Sequence, residues 1–147
     1  MLGQDIVLVT GGNTANALAI WRVHSFDREL REAWERGVVL TGWSAGMICW
    51  FEHGVTDSLW SRARVDGVSR ISARQRLPAL TTARSAAGRC YNSSSVAGLP
   101  AGLAADDGVA LHFVGTELHE VVTSRPGATA YRVGPAGERP LTARLLG

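Results

Sequence analysis

The first fifty residues alternate between short apolar runs and stretches with the spacing of an amphipathic helix. Residues 6–9 form a continuous apolar run, which is typical of a strand buried on both faces of a parallel sheet. Thr10, two glycines and Asn13 follow, and apolar residues then recur at helical spacing, so a turn and a capped helix are expected next. The pattern predicts a strand, a loop and a helix in that order.

A second helix and a second strand are predicted between residues 25 and 41. Apolar residues at helical spacing indicate a helix that begins at Ser25 or Asp27 and ends at Arg36. Residues 38–41 form the next apolar run, and residues 45–51 are expected to be helical. This order predicts an α/β fold with a mostly parallel sheet and flanking helices, because right-handed crossovers place helices on the faces of the sheet.

The last third of the chain has the pattern of short strands and tight turns. Residues 109–113, 117–123 and 129–133 are predicted strands, with turns at 114–116 and 125–127. These C-terminal antiparallel strands are expected to form a meander at the edge of the sheet.

Length and composition indicate a single domain over residues 1–147. The chain is 46% hydrophobic and 19% charged, and no apolar run approaches the roughly 20 residues that cross a bilayer. The N-terminus has neither a basic region nor an apolar run of signal-peptide length, so a cytoplasmic protein without membrane contact is expected. Cys49 and Cys90 are interpreted as free thiols, and no spacing of cysteine or histidine suggests a metal site.

Charge is unevenly distributed, although the net charge is only +2. All 15 basic residues are arginines, and no acidic residue lies between Asp66 and Asp106. Within that stretch, residues 69–97 show neither helical nor strand periodicity, which predicts an anomalous, poorly ordered segment. Nucleic-acid binding is not favoured, because the segment has no aromatic residue apart from Tyr91 and its arginines have no helical spacing.

The residues Gly42-Trp43-Ser44-Ala45-Gly46 fit the G-x-S-x-G pattern, in which a sharp strand-to-helix turn exposes a nucleophilic serine. A predicted strand precedes the pattern and a predicted helix follows it. The N-terminus of that helix favours negative charge that develops next to Ser44. The alternative is that Ser44 is a plain helix N-cap.

Six segments carry a family resemblance and follow one another in the order of that family. They are Gly11-Gly12-Asn13-Thr14, Ala19-Ile20-Trp21-Arg22, GWSAGMICWF from Gly42, GVTDS from Gly54, AADDGVALHF from Ala104 and ELHEVV from Glu117. In these segments the chain resembles the peptidase E family, the serine aspartyl dipeptidases. The resemblance implies a fold like class I glutamine amidotransferases. It also implies cleavage of short peptides after an N-terminal aspartate, by acyl transfer through serine and without a cofactor.

The resemblance assigns roles to several residues. Ser44 would attack the scissile carbonyl, and the backbone N–H groups of Ala45 and Gly12 would form the oxyanion hole. The alternative for the glycine pair is a plain tight turn. Asp57 would be the acid that orients the imidazolium, although an aspartate between Thr and Ser is also a common turn residue. Glu52, at the end of the predicted elbow helix, is a competing acid.

The histidine of the family has no counterpart at its expected place, a Gly-Ser-x-Cys-Pro-His-like motif after the acid. No histidine lies between His53 and His112. His53 follows the elbow helix too closely for the role, and His24 is interpreted as a residue that flanks a helix. His112 and His119 lie at alternating positions of predicted strands, where a histidine is more often structural than catalytic. His112 is the fallback base.

A shifted translation frame would account for the missing histidine. Residues 72–80, back-translated with GC-rich codons, contain Leu-Pro-Gly-Ser-Ala-Cys-Pro-His in the frame that begins one base later. We therefore hypothesise that residues near 69–97 are translated out of frame. The family also begins before this chain does, so open strand edges are expected, and these predict self-association such as a homodimer.

Two other functional classes stay open. An α/β-hydrolase esterase has the order Ser, acid, His, which Ser44, Asp57 or Asp107, and His112 would supply. A non-catalytic remnant is the other class, since the histidine is missing from its place. The leading interpretation is a serine peptidase of the peptidase E type that acts on short peptides and whose activity is impaired in this chain.

Overall fold

The computed structural model describes residues 2–56, 69–72, 81–84, 101–134 and 136–147, with the backbone alone for Val55 and for the two four-residue segments. The helices are α1 (Thr14–Val23), α2 (Phe26–Glu35) and α3 (Ala45–Ile48). The strands are β1 (Ile6–Val9), β2 (Val39–Gly42), β3 (His53–Thr56), β4 (Ser69–Ser72), β5 (Thr81–Arg84), β6 (Gly102–Asp106), β7 (Val109–Val114), β8 (Glu117–Thr123), β9 (Ala130–Gly134), β10 (Gly137–Pro140) and β11 (Arg144–Leu145).

The N-terminal unit is a parallel pair of strands with helices against one face. β1 and β2 pair in register from Ile6↔Val39 to Val9↔Gly42. The Asn13 side chain caps α1 by accepting the N–H of Asn16 at 2.9 Å. The strand, loop and helix order predicted for residues 6–51 is confirmed. The last helix of this unit is shorter than predicted, because the chain tightens after Ile48 into turns bonded three residues apart.

The core of this unit lies between the helices and the inner face of β1 and β2. Its buried residues are Leu18, Leu30, Cys49, Trp50 and Phe51. The prediction that β1 is buried on both faces is wrong. Ile6 and Leu8 are 59% and 54% exposed, because the helices cover only the face that carries Val7 and Val9.

Two further sheets lie in the rest of the described chain. One has six strands in the order β10-β9-β6-β5-β3-β4, and the other has three in the order β11-β8-β7. The α/β class is confirmed, but a mostly parallel sheet is not, because only β1 and β2 form an all-parallel sheet and the other two are mixed. Only two residues separate β7 from β8 and β9 from β10, and so short a link joins antiparallel strands.

The C-terminal antiparallel strands are present, but they do not form one meander. β7 pairs antiparallel with β8, whereas β9 pairs with β6 and β10 in the other sheet. The meander is therefore divided between two sheets. A second small core, with Ala105, Val121 and Ala130 buried, joins them.

The anomalous segment at residues 69–97 is described only in part. β4 and β5 lie within it, and neither strand was expected from its composition. The other residues of the segment lie outside the described part of the chain, so its poor order stays a prediction. No helix among the described residues is long and apolar enough to span a membrane.

Candidate active site

Ser44 lies at a sharp turn between β2 and α3, as the G-x-S-x-G pattern predicts. Its backbone has φ 56° and ψ −122°, a conformation that residues with a Cβ rarely adopt. Ser44 is exposed, although Ala45, Gly46 and Ile48 of α3 behind it are buried. A strained backbone that presents an exposed hydroxyl is the geometry of a nucleophile elbow.

The two glycines of the pattern are required by close packing against β1. A Cβ added at Gly42 would lie 2.3 Å from the carbonyl oxygen of Val9, and one added at Gly46 would lie 2.0 Å from the same atom. The end of β2 and the first turn of α3 therefore pack directly against the end of β1. This contact fixes the position of Ser44 relative to the loop that follows β1.

Replacement of Ser44 by glycine is expected to raise the free energy of unfolding by about 1 kcal/mol, because glycine adopts positive φ without strain. Ser44→Ala is the matched control, since it removes the hydroxyl but keeps the Cβ and its strain. Urea denaturation of the three proteins measures the difference. Equal stability of the glycine and alanine variants would contradict a strained backbone at Ser44.

The loop after β1, which carries Gly11 and Gly12, lies beside the elbow. A Cβ at Gly11 would lie 3.2 Å from Ser44 Cβ and 3.5 Å from Ser44 Oγ, so this loop lies against the serine. Gly12 has φ +148°, and a Cβ there would meet only open space. Gly12, Ser44 and Ala45 line one cavity. The loop and the elbow therefore border the same space, where the oxyanion hole is predicted.

The cavity has a volume of about 1270 Å³ and is also lined by residues of another sheet. Asp107 and His112 reach it from the turn before β7 and from β7 itself. The structure thus places Ser44, Asp107 and His112 around one space, which their separation in the sequence does not indicate.

All four histidines lie in the described part of the chain, and only His112 lines this cavity. Its Nδ1 is 3.8 Å from Glu120 Oε1, beyond hydrogen-bond distance. Arg144 instead donates to both oxygens of Glu120, at 3.1 and 3.2 Å. His112 is 53% exposed. Among the described residues, His112 therefore has no buried, hydrogen-bonded carboxylate of the kind that orients a triad histidine.

Glu120 has no role in the sequence-based predictions. His112 and Glu120 face each other across β7 and β8, next to an irregularity in register between His112 and Phe113. A bulge of this kind shifts cross-strand partners by one residue, and the sequence has no pattern that locates it.

Of the two predicted acids, Asp57 and Glu52, the structure describes only Glu52. Asp57 lies outside the described residues. Thr56, just before it, is buried and lines the cavity, and its hydroxyl lies 3.4 Å from that of Thr14. β3 therefore ends beside the cavity. Glu52 is exposed and does not line the cavity, so its geometry does not favour the role of competing acid.

Cys49 is the buried thiol behind the elbow. Its Sγ donates to the carbonyl oxygen of Gly46 at 3.3 Å. Burial raises the pKa of Cys49 from the ordinary 9.0 to about 12, and a backbone hydrogen bond partly opposes that rise. No group of metal-binding side chains occurs in the ranges that the structure describes.

The Cys49 thiol is expected to resist iodoacetamide at pH 8 in the folded protein. A rise of the pKa to about 12 lowers the thiolate fraction by about a thousandfold, and only the thiolate is nucleophilic. Labelling would be measured by mass spectrometry in a Cys90→Ser background, so that one thiol is counted. Full reaction in urea is the control, and equally fast reaction of the folded protein would contradict the burial of Cys49.

The chain is similar to known proteins over most of its length. Residues 1–121 match the model of peptidase family S51. The chain is 40% identical over 160 aligned positions to an uncharacterized peptidase, YgaJ, of Bacillus subtilis strain 168, with all of this chain and 65% of that protein covered. The chain thus spans slightly less than two thirds of the length of this relative. No solved structure matches the present chain.

Proposed function

Because the chain belongs to peptidase family S51, the peptidase E family, we propose that it is a serine peptidase that cleaves short peptides, with a preference for an N-terminal aspartate. The observation that carries the proposal is the elbow: Ser44 is exposed at positive φ on the wall of a large cavity. The preference for aspartate comes from the family resemblance. The reaction needs no cofactor, since serine acyl transfer uses side chains alone.

In the proposed reaction, Ser44 Oγ attacks the scissile carbonyl while its proton passes to a base. The N–H groups of Ala45 and Gly12 stabilise the negative charge on the carbonyl oxygen. The acyl-enzyme forms when the amine leaves with a proton, and water then releases the acid and restores the hydroxyl. Asp57 is the acid in this proposal, as the family resemblance implies.

This chain has no histidine at the position of the family's general base, which would accept the proton of Ser44. His112 shares the cavity with Ser44, but among the described residues its carboxylate neighbour Glu120 is hydrogen-bonded to Arg144 and not to the imidazole. Without a base, serine stays protonated near neutral pH. Loss of a triad member typically leaves on the order of 10³–10⁴-fold catalysis over water, so we propose that this chain is an impaired peptidase.

The test is a substrate panel with the Ser44→Ala variant as control. We expect slow release of leucine from Asp-Leu, none from Leu-Leu, and loss of the Asp-Leu reaction in Ser44→Ala. Products would be measured by liquid chromatography after long incubation, with far-UV circular dichroism to confirm that both proteins fold. Equal cleavage of the two dipeptides would contradict the proposed preference for aspartate.

An esterase of the α/β-hydrolase type is the second candidate, because Asp107 and His112 line the same cavity as Ser44. It predicts rapid, Ser44-dependent hydrolysis of p-nitrophenyl esters with no peptide preference. The peptidase proposal instead predicts that Ser44-dependent turnover requires an aspartyl acyl group, so that an aspartyl p-nitrophenyl ester reacts faster than p-nitrophenyl acetate. A non-catalytic remnant would show no Ser44-dependent reaction with any substrate of the panel.

Self-association is part of the proposal as well. The outer face of β1 and β2 exposes Ile6, Leu8 and Val39 by 54–59% of their surface. A contiguous apolar face of this kind favours contact with another protein surface, and a homodimer would cover it.

A further inference from the structure

Trp43 lies directly before the proposed nucleophile and is exposed. Its exposed fraction is 54%, and it is the only exposed tryptophan or phenylalanine in the part of the chain that the structure describes. Residues 39–43 alternate between exposed and half-buried positions, and Trp43 falls on the exposed face with Val39 and Thr41. The helices pack against the opposite face, which carries Leu40. This arrangement leaves the Trp43 indole open to solvent.

The Trp43 indole and the Ser44 hydroxyl lie close together. A Cβ added at Gly11 would lie 3.6 Å from Trp43 Cδ1 and 3.5 Å from Ser44 Oγ. Because both atoms lie that near to one point, they are no more than about 7 Å apart. Both residues also line the same cavity. An apolar surface therefore borders the space in which Ser44 would react.

The position of Trp43 distinguishes it from other exposed apolar residues. A single exposed apolar side chain is ordinary on a protein surface and indicates no site by itself. Ile6 and Leu8 are equally exposed, but they do not line the cavity of the nucleophile, whereas Trp43 does. A half-exposed indole is stabilised when an apolar group covers it. A bound substrate is the molecule that would supply such a group beside Ser44.

We propose that Trp43 contacts the side chain of the second residue of a bound dipeptide and selects dipeptides with a large apolar residue there. This inference rests on the proposed function. In a dipeptide, the Cβ of the second residue lies within about 4 Å of the scissile carbon, which Ser44 Oγ attacks. A phenylalanine side chain extends several ångströms further, so it reaches the indole.

The charge of the first residue makes it a poor partner for the indole. The face of an indole ring carries negative electrostatic potential, which repels a carboxylate such as the aspartyl side chain. A phenyl ring instead packs favourably on an indole, either offset or edge to face. Trp43 is therefore a specificity-determining residue for the leaving amino acid and not for the aspartate.

The test is a competition between Asp-Phe and Asp-Ala at equal concentrations in one reaction mixture. Release of phenylalanine and alanine would be measured by liquid chromatography. The ratio of the two rates equals the ratio of the kcat/KM values, so neither low activity nor partial folding of a variant alters it.

We expect the native chain to prefer Asp-Phe by about tenfold, because the phenyl ring buries more apolar area and makes an aromatic contact. Trp43→Ala is expected to reduce the preference to about twofold or less, because both contributions are lost. Trp43→Phe is the matched control and is expected to retain most of the preference. Equal rates for the two dipeptides in the native chain would overturn the inference, and so would a preference that Trp43→Ala leaves unchanged.

A binding measurement separates this inference from the proposed function. Calorimetry with Ser44→Ala, with and without Trp43→Ala, compares the affinities for Asp-Phe and Asp-Ala. A Trp43-dependent preference in binding, without Ser44-dependent hydrolysis by the native chain, would support the subsite and contradict the peptidase. Ser44-dependent hydrolysis at equal rates for both dipeptides would support the peptidase and overturn the subsite. Neither binding nor hydrolysis of either dipeptide would contradict both.

Discussion

Replacement of Gly46 by alanine is expected to lower the free energy of unfolding by about 3 kcal/mol, the upper end of the usual cost of overpacking. The added Cβ would lie 2.0 Å from the Val9 carbonyl oxygen, which belongs to backbone paired with β2 and cannot rotate away. Either α3 or the end of β1 must move. In a domain of this size the change corresponds to a fall in Tm of about 6–12 °C.

Gly3→Ala is the matched control, because a Cβ at Gly3 would have no atom within 4 Å. Its effect is expected to stay within about 0.5 kcal/mol, as for other surface substitutions. Thermal and urea denaturation of both variants measures the contrast. A Gly46→Ala protein as stable as Gly3→Ala would show that the elbow does not press on β1.

Added imidazole is expected to raise the Ser44-dependent hydrolysis of an aspartyl p-nitroanilide by about ten- to a hundredfold. A positioned general base contributes typically about 10²–10⁴-fold, and a diffusing one recovers part of that factor. Ser44 is exposed on a cavity of about 1270 Å³, so imidazole has room to approach its hydroxyl. The rate of nitroaniline release would be measured against imidazole concentration at constant pH and ionic strength.

The Ser44→Ala variant in the same imidazole buffer is the control, because it reports the direct reaction of imidazole with the substrate. An equal rise with and without the Ser44 hydroxyl would contradict a competent nucleophile that lacks its base. A native rate that is already high and does not respond to imidazole would show that the chain supplies its own base.

The elbow could be predicted from the sequence because its determinants are local. Five consecutive residues, 42–46, specify a turn with two glycines, and the apolar run before them specifies the strand. The structure adds the reason for both glycines, which is the carbonyl of Val9. That reason depends on the pairing of β1 with β2, which the sequence pattern expresses only indirectly.

The sheets could not be predicted as well, because strand pairing is a long-range property. β9 has the alternation of a meander strand, yet it pairs with β6 and not with β8. The same limit applies to the site. The position of Glu120 opposite His112 depends on an irregular register, and the meeting of His112 with Ser44 in one cavity depends on how two sheets pack.

Hydrolysis of Asp-Leu by the native chain, by Ser44→Ala and by His112→Ala is the most direct test of Ser44 as a nucleophile without an internal base. We expect the same low rate for the native chain and His112→Ala, because the imidazole is exposed and its carboxylate neighbour Glu120 is hydrogen-bonded to Arg144. We expect a further loss in Ser44→Ala. Robust turnover that disappears equally in the Ser44 and His112 variants would contradict it, since His112 would then be the base.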